Sequence, residues 1–295
     1  MSKNNTQIKS ITERTFTTTD FTETTDNDFD QTNTSQLYKF STLYNTNPNF
    51  QLEYDIFYRT AQEDEFSQIT STATRQEDIS SNRMQTPQQL SQNLNTYYTL
   101  NEKHIFALEI QHKWQEENPV YKLQKERILF PDILPIPTQS NGYLVQQNRF
   151  TKTNKLDGRL EYYYMLNDLS SINLTAGTTQ VRQEYDSNMG NYVDDELDIF
   201  EETHLINNAR LEFSDLYTAL RYRLKSGKFV FNPGLTLHQY DIKTIQSSTL
   251  QTNEARILPD IWIRYQMRKS ESLRFTYRAQ LQYSDLSRLG DAYTF

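Results

Sequence analysis

The chain has 295 residues, a formal net charge of −8, a mean hydropathy of −0.81 and 36% hydrophobic residues. So polar a chain approaches disordered composition, but 13% aromatic residues, with 20 Tyr and 16 Phe, exclude that class. The acidic balance argues against nucleic acid as a partner, and the absence of Cys removes disulfides, thiolate metal sites and Cys nucleophiles.

No stretch nears the ~18 consecutive apolar residues of a membrane helix. The opening run MSKNNTQIKSITERTFTTTD lacks the apolar centre of a signal peptide. Residues 6 to 24 are Thr-rich and predict a weak, polar strand or strand pair, and residues 26 to 33 a polar loop. Clear alternation begins with Tyr38, Phe40, Thr42 and Tyr44, and the run Asn45-Thr46-Asn47-Pro48-Asn49 signals a turn. On the return, Phe50, Leu52, Tyr54, Ile56 and Tyr58 share one parity, with Gln51, Glu53, Asp55 and Arg59 on the other. A long polar connection is expected from about 62 to 90.

The unit then repeats. Leu94, Thr96, Tyr98 and Leu100 lead to the turn Asn101-Glu102-Lys103, and Phe106, Leu108, Ile110 and Trp114 lead away, against Glu109, Gln111 and Lys113. A second long connection, about 118 to 142, holds Pro119, Pro131, Pro135 and Pro137. Leu160, Tyr162, Tyr164 and Leu166 approach the turn Asn167-Asp168-Leu169-Ser170, and Ile172, Leu174 and Ala176 leave it. An acidic loop follows at 194 to 202, with Asp194, Asp195, Glu196, Asp198, Glu201 and Glu202. Leu216, Leu220, Tyr222 and Leu224 reach Lys225-Ser226-Gly227-Lys228, and Phe229, Phe231, Leu235 and Leu237 return. A last loop is expected near 244 to 253.

The C-terminal hairpin has the cleanest pattern. Ile257, Pro259, Ile261, Ile263, Tyr265 and Met267 alternate with Leu258, Asp260, Trp262, Arg264 and Gln266. Across the turn Arg268-Lys269-Ser270-Glu271, Leu273, Phe275, Tyr277, Ala279, Leu281 and Tyr283 alternate with Ser272, Arg274, Thr276, Arg278, Gln280 and Gln282. Each arm is roughly 10 residues, about the length of a tilted strand crossing a bilayer. One apolar and one charged face fits either a sandwich over a core or a barrel with lipid outside and water inside.

Five tight turns separated by four long connections favour the barrel, in which periplasmic turns are short and extracellular loops long. Sandwiches show turn signals every ~8–12 residues without that asymmetry. The expected fold class is therefore all-β, a partial antiparallel up-and-down transmembrane β-barrel of about eleven strands. Aromatic pairs at strand ends (Tyr44 and Phe50, Tyr97 and Tyr98, Tyr222 and Phe229, Tyr265 and Phe275) suit interfacial girdles.

Residues 232 to 241, NPGLTLHQYD, followed by Ile257-Leu258-Pro259-Asp260 and by residues 265 to 277, YQMRKSESLRFTY, resemble the mid-barrel segment of outer-membrane β-barrel family proteins. The similarity is to the barrel of Bacteroidota-type TonB-dependent receptors, and it covers residues 215 to 295. The resemblance implies residues 1 to 295 as part of a single outer-membrane barrel domain, and no plug domain or signal peptide is expected within them. It implies nutrient uptake across the cell outer membrane, with the bilayer as surroundings. TonB-type energy coupling through a missing plug, and a surface lipoprotein, are the partners it suggests. Family barrels close with about twice as many strands, so a chain cut at both ends is expected. Tyr293-Thr294-Phe295 ends on an aromatic residue as barrels do, but Ser287-Arg288-Leu289-Gly290-Asp291 breaks the alternation. The alternative is a secreted or surface-exposed β-sandwich acting in adhesion or binding.

No catalytic, cofactor or metal residue is predicted, and an enzyme is not expected. His104, His112, His204 and His238 are scattered, and Ser214-Asp215 specifies no triad. With only 7 Gly there is no phosphate loop. The 194 to 202 run lacks EF-hand spacing, so solvated carboxylates are favoured over Ca²⁺ ligands. The row Arg264, Gln266, Arg274, Thr276, Arg278, Gln280 and Gln282 is read as the lining of a wet lumen, with a solute path as the sharper reading.

Overall fold

A computed structural model describes all residues except 17–20, 73–74, 128–133, 137–141, 194–195, 202–205 and 282–295. The described residues form fourteen strands in one sheet. In chain order these are β1 (Ser2–Phe16), β2 (Phe21–Asn47), β3 (Phe50–Thr72), β4 (Gln76–Gln85), β5 (Gln88–Asn101), β6 (His104–Glu117) and β7 (Val120–Lys125). There follow β8 (Tyr143–Asn167), β9 (Ser170–Val193), β10 (Glu196–Ile199), β11 (Asn207–Ser226), β12 (Phe229–Ile245), β13 (Thr249–Arg268) and β14 (Glu271–Arg278). Every pairing is antiparallel.

Fourteen segments make eleven crossings, the number the alternation predicts. β4 and β5 both pair β3 in one unbroken register and are a single crossing interrupted at Thr86-Pro87. β6 and β7 both pair β8 and are interrupted at Asn118-Pro119. β10 and β11 both pair β9, separated by residues 200 to 206.

The two interruptions lie side by side. Pro has no N–H to give a ladder and is rare inside a sheet. Here the Pro87 carbonyl still accepts from Ala61 N (3.1 Å) and the Pro119 carbonyl from Arg149 N (3.0 Å), so both outer ladders continue. Between the two broken crossings, the Asn118 side-chain oxygen accepts from Thr86 N (3.0 Å) and Thr86 Oγ1 (3.1 Å).

All five predicted tight turns form at one end of the sheet, the turn end; the opposite end is the loop end. The predicted long connections need correction. Residues 26 to 33 are strand inside β2, and residues 62 to 90 are mostly the arms of β3 and β4–β5. The 118 to 142 connection opens with β7, and the 244 to 253 loop shrinks to a turn between Ile245 and Thr249. Strands reach 27 residues, well beyond the 10 expected. Polar residues occupy both parities in these outer stretches, so alternation gives no strand signal there although the ladders persist. Residues 6 to 24 do hold a strand pair, β1 with β2. Pro131, Pro137, Asp194, Asp195, Glu202, His204, Gln282 and the 283 to 295 run lie outside the described residues.

The exposures of the two faces decide the architecture. Along β9, β11 and β12 the apolar parity is open: Leu216 is 61%, Leu220 52% and Leu235 50% exposed. The opposite parity is shielded, with Asp215 at 8%, Thr175 at 6% and Thr236 at 8%. A soluble sandwich does the reverse, hiding its apolar face. No second sheet exists among the described residues for the leucines to pack on. On the apolar parity of β3, β13 and β14, Phe275 is exposed and Phe50, Ile56 and Ile263 are only half-buried.

On the apolar face, rings collect near the turn end. Phe50 meets Tyr44 and Tyr98 (centroids 6.2 and 6.4 Å), Phe106 meets Tyr162 (5.0 Å) and Phe229 meets Tyr265 (4.5 Å). These edge-to-face and offset geometries suit the ring quadrupole. At the loop end a small apolar nucleus sits on the shielded side, where Leu134 and Ile136 pack with Tyr143, Val145, Met189 and Phe200.

Candidate functional site: the shielded polar face

The polar face takes one parity of each crossing and is shielded along β9, β11 and β12, so its side chains follow from the strand registers. Near the turn end, β13 and β14 place Arg264 opposite Arg274 and Asp260 opposite Arg278. Trp262 lies on the same parity, its ring centre 5.9 Å from the Arg264 guanidinium and 5.4 Å from that of Arg274. The predicted row is therefore assembled for Arg264, Arg274, Thr276 and Arg278. Gln266 is diverted to the turn, donating to the carbonyls of Arg268 (2.6 Å) and Glu271 (3.2 Å). Gln280 lies beyond the end of β14.

In the middle of the face, His238 Nδ1 is 2.9 Å from both Asp215 carboxylate oxygens, and its ring stacks between Tyr217 (5.3 Å) and Tyr240 (5.2 Å). Ser214 has the opposite parity and accepts from Gln180 on the apolar side, so the fold does not bring it to the His238–Asp215 pair. A recess of about 410 Å³ opens between β3 and β8, bordered by Glu53, Asn95, Tyr97, Glu109, Arg159 and Glu161. Arg159 donates to Glu109, and the Tyr163 hydroxyl to Glu161 at 2.8 Å.

Towards the loop end, Glu65 accepts from Gln31 (2.9 Å) and Arg83 (2.8 Å). The Tyr121 ring lies between two guanidiniums, Arg83 at 5.7 Å and Arg149 at 5.8 Å, and Arg149 also lies 5.8 Å from the Tyr185 ring. Burial works to lower the Arg83 pKa, but the hydrogen bond to Glu65 and the field of Tyr121 outweigh it and leave that guanidinium above its ordinary value.

His104 and His112 share the apolar parity of β6. His104 Nδ1 is 2.7 Å from the Tyr162 hydroxyl, and His112 Nε2 is 3.0 Å from Asn154 Oδ1. Among the described residues no group of three His, Asp or Glu side chains has metal-binding geometry. Glu196 and Asp198 of the acidic run fall on β10.

Two glycines carry information that a residue-by-residue reading passes over. A Cβ at Gly177 would run into the Tyr217 ring, and one at Gly234 would meet Asp260 Oδ1 at 2.5 Å. Glycine inside a strand marks close approach of another group, and that is the signal that would have found both.

No protein-family model matches the chain, and no curated protein matches it. Among solved structures, the ferric citrate transporter FecA in its unliganded form aligns with TM-score 0.46 and 7% identity over 92% of this chain and 43% of its own. The siderophore receptor PiuA from Acinetobacter baumannii aligns with TM-score 0.46 and 8% identity, over 94% and 48% of the two chains. The ferric-catecholate import receptor Fiu from K12 E. coli gives 0.47 and 6%, over 94% and 49%. This chain thus spans less than half the length of each of the three.

Proposed function

We propose that this chain is part of the wall of an outer-membrane uptake protein, within a single barrel domain of the TonB-dependent receptor kind, and that it is not an enzyme. The observation that carries the reading is the inverted exposure: Leu216, Leu220 and Leu235 face out while Asp215, Thr175 and Thr236 are shielded. Hydrocarbon is the medium in which that arrangement is favourable, because it solvates the leucines and leaves the polar parity to border water. The ring band at the turn end and the tight turns gathered there support the same orientation, with turns periplasmic and loops extracellular. The resemblance of residues 215 to 295 to TonB-dependent receptor barrels supports uptake of a nutrient as the activity, with the plug and its energy-coupling partners supplied outside these residues.

The test is where the protein partitions and how it runs on a gel. We expect extraction only with detergent and a folded band that shifts on boiling. A chain that stays folded and monodisperse without detergent would defeat the proposal and return the adhesion reading.

A further inference from the structure

Arg264 and Arg274 face each other directly across β13 and β14 on the polar parity of these strands. Like charges in register repel, and a sheet usually avoids them. Among the described residues no carboxylate forms an ion pair with either. The acids nearby are engaged elsewhere: Asp260 pairs with Arg221 at 3.5 Å, and Glu271 with Arg268 at 3.7 Å. Arg278, opposite Asp260, adds further positive charge to the same strip. The Trp262 ring lies within cation–π distance of both guanidiniums, 5.9 and 5.4 Å, which limits their freedom.

We infer that Arg264, Arg274 and Trp262 form a binding site for a compact oxyanion, the carboxylate or phosphate group of a small solute. An oxyanion between the two forks would accept charge-assisted hydrogen bonds from both and cancel their repulsion. The site deepens the uptake reading and rests on it in one respect, that this face borders water.

The sequence has 2 Trp, so Trp114→Phe leaves Trp262 as the sole indole, in contact with both arginines. The full chain, folded in detergent, is titrated with inorganic phosphate and separately with acetate, ionic strength being held constant with chloride. We expect a saturable change in Trp262 fluorescence with at least one of the two, the stronger arm identifying which oxyanion the site prefers. Arg264→Gln and Arg274→Gln should each weaken it by about tenfold or more, and Arg256→Gln, on the same face but paired with Glu254, should leave it unchanged. Arg274 sits on an exposed strand, so its variant decides the matter if Arg264→Gln fails to fold. A response that never saturates, or one that persists in both variants, overturns the site. Saturable binding by a chain folded without detergent would keep the site and remove the wall reading, whereas a detergent-folded chain with no response would do the opposite.

Discussion

Arg221 on β11 and Asp260 on β13 pair across the strand between them, Nε to Oδ2 at 3.5 Å, because Gly234 of β12 puts no side chain in the way. An added Cβ would lie 2.5 Å from Asp260 Oδ1 and 2.9 Å from Arg221 Cγ. Gly234→Ala should therefore push the two side chains apart and cost about 1–3 kcal/mol, the range for overpacking. Arg221→Ala alone should cost roughly 1 kcal/mol or less, since its side chain is 32% exposed and solvent screens the pair. Urea unfolding in detergent, followed by the gel shift, orders the two variants; equal losses would refute the window role of Gly234.

Gly177 makes the same kind of space for a ring. Tyr217 lies over it, and the carbonyl oxygen of Gly158 on the next strand would be 2.9 Å from an added Cβ. Since the backbone cannot retreat as a side chain can, Gly177→Ala is expected to destabilise by about 1–3 kcal/mol. Adding Tyr217→Ala should recover only part of that loss, because removing the ring leaves the Gly158 contact in place. Full recovery in the double variant would show the carbonyl contact to be harmless.

Leu220→Arg separates a lipid-facing surface from a wet one. Leu220 is 52% exposed; in a water-soluble sheet an arginine there would change stability by no more than about 0.5 kcal/mol. Facing hydrocarbon, it should cost ~2–4 kcal/mol near the midplane. Arg223→Gln, on the opposite parity and exposed, should be close to neutral. Parallel folding yields into phospholipid vesicles measure both, and a neutral Leu220→Arg would count against the wall.

Asn118→Ala tests the join between the broken crossings. Its side-chain oxygen holds Thr86 through two bonds, at 3.0 and 3.1 Å. Losing them should cost about 1–2 kcal/mol, felt locally rather than globally. Faster amide exchange at Thr86, with Leu108 and Leu160 unchanged, is the expected pattern; uniform acceleration would mean that the whole sheet depends on this contact.

What the sequence made legible was the apolar band. Wherever Leu, Ile, Phe or Tyr recurred on one parity, as in 50–58, 216–224 and 257–277, the strand, its face and its tight turn were all readable, because period-2 alternation records an asymmetric environment. Outside the band both faces meet water, the pattern fades, and stretches such as 26–33 and 62–72 looked like loops. Pro119 marked the 118 to 142 stretch as a connection in the same way, since a proline ordinarily argues against a central strand. The polar lining was readable as a face, and Arg264 with Arg274 as members of it. That they stand directly opposite one another was not readable, because the bulge between Gln266 and Arg268 sets the register of β13 on β14. Arg149 over Tyr121 and Tyr185 was hidden for a simpler reason: three separate strands supply those residues, at positions without alternation.

The adjacent gaps at Thr86-Pro87 and Asn118-Pro119 divide two neighbouring crossings at the same height. Below them, β5 and β6 are each 14 residues long, enough for a tilted strand to cross one bilayer. Above them, β4 and β7 hold on through their own ladders to β3, to β8 and to each other. The rim is expected to exchange its amides before the portion beneath does.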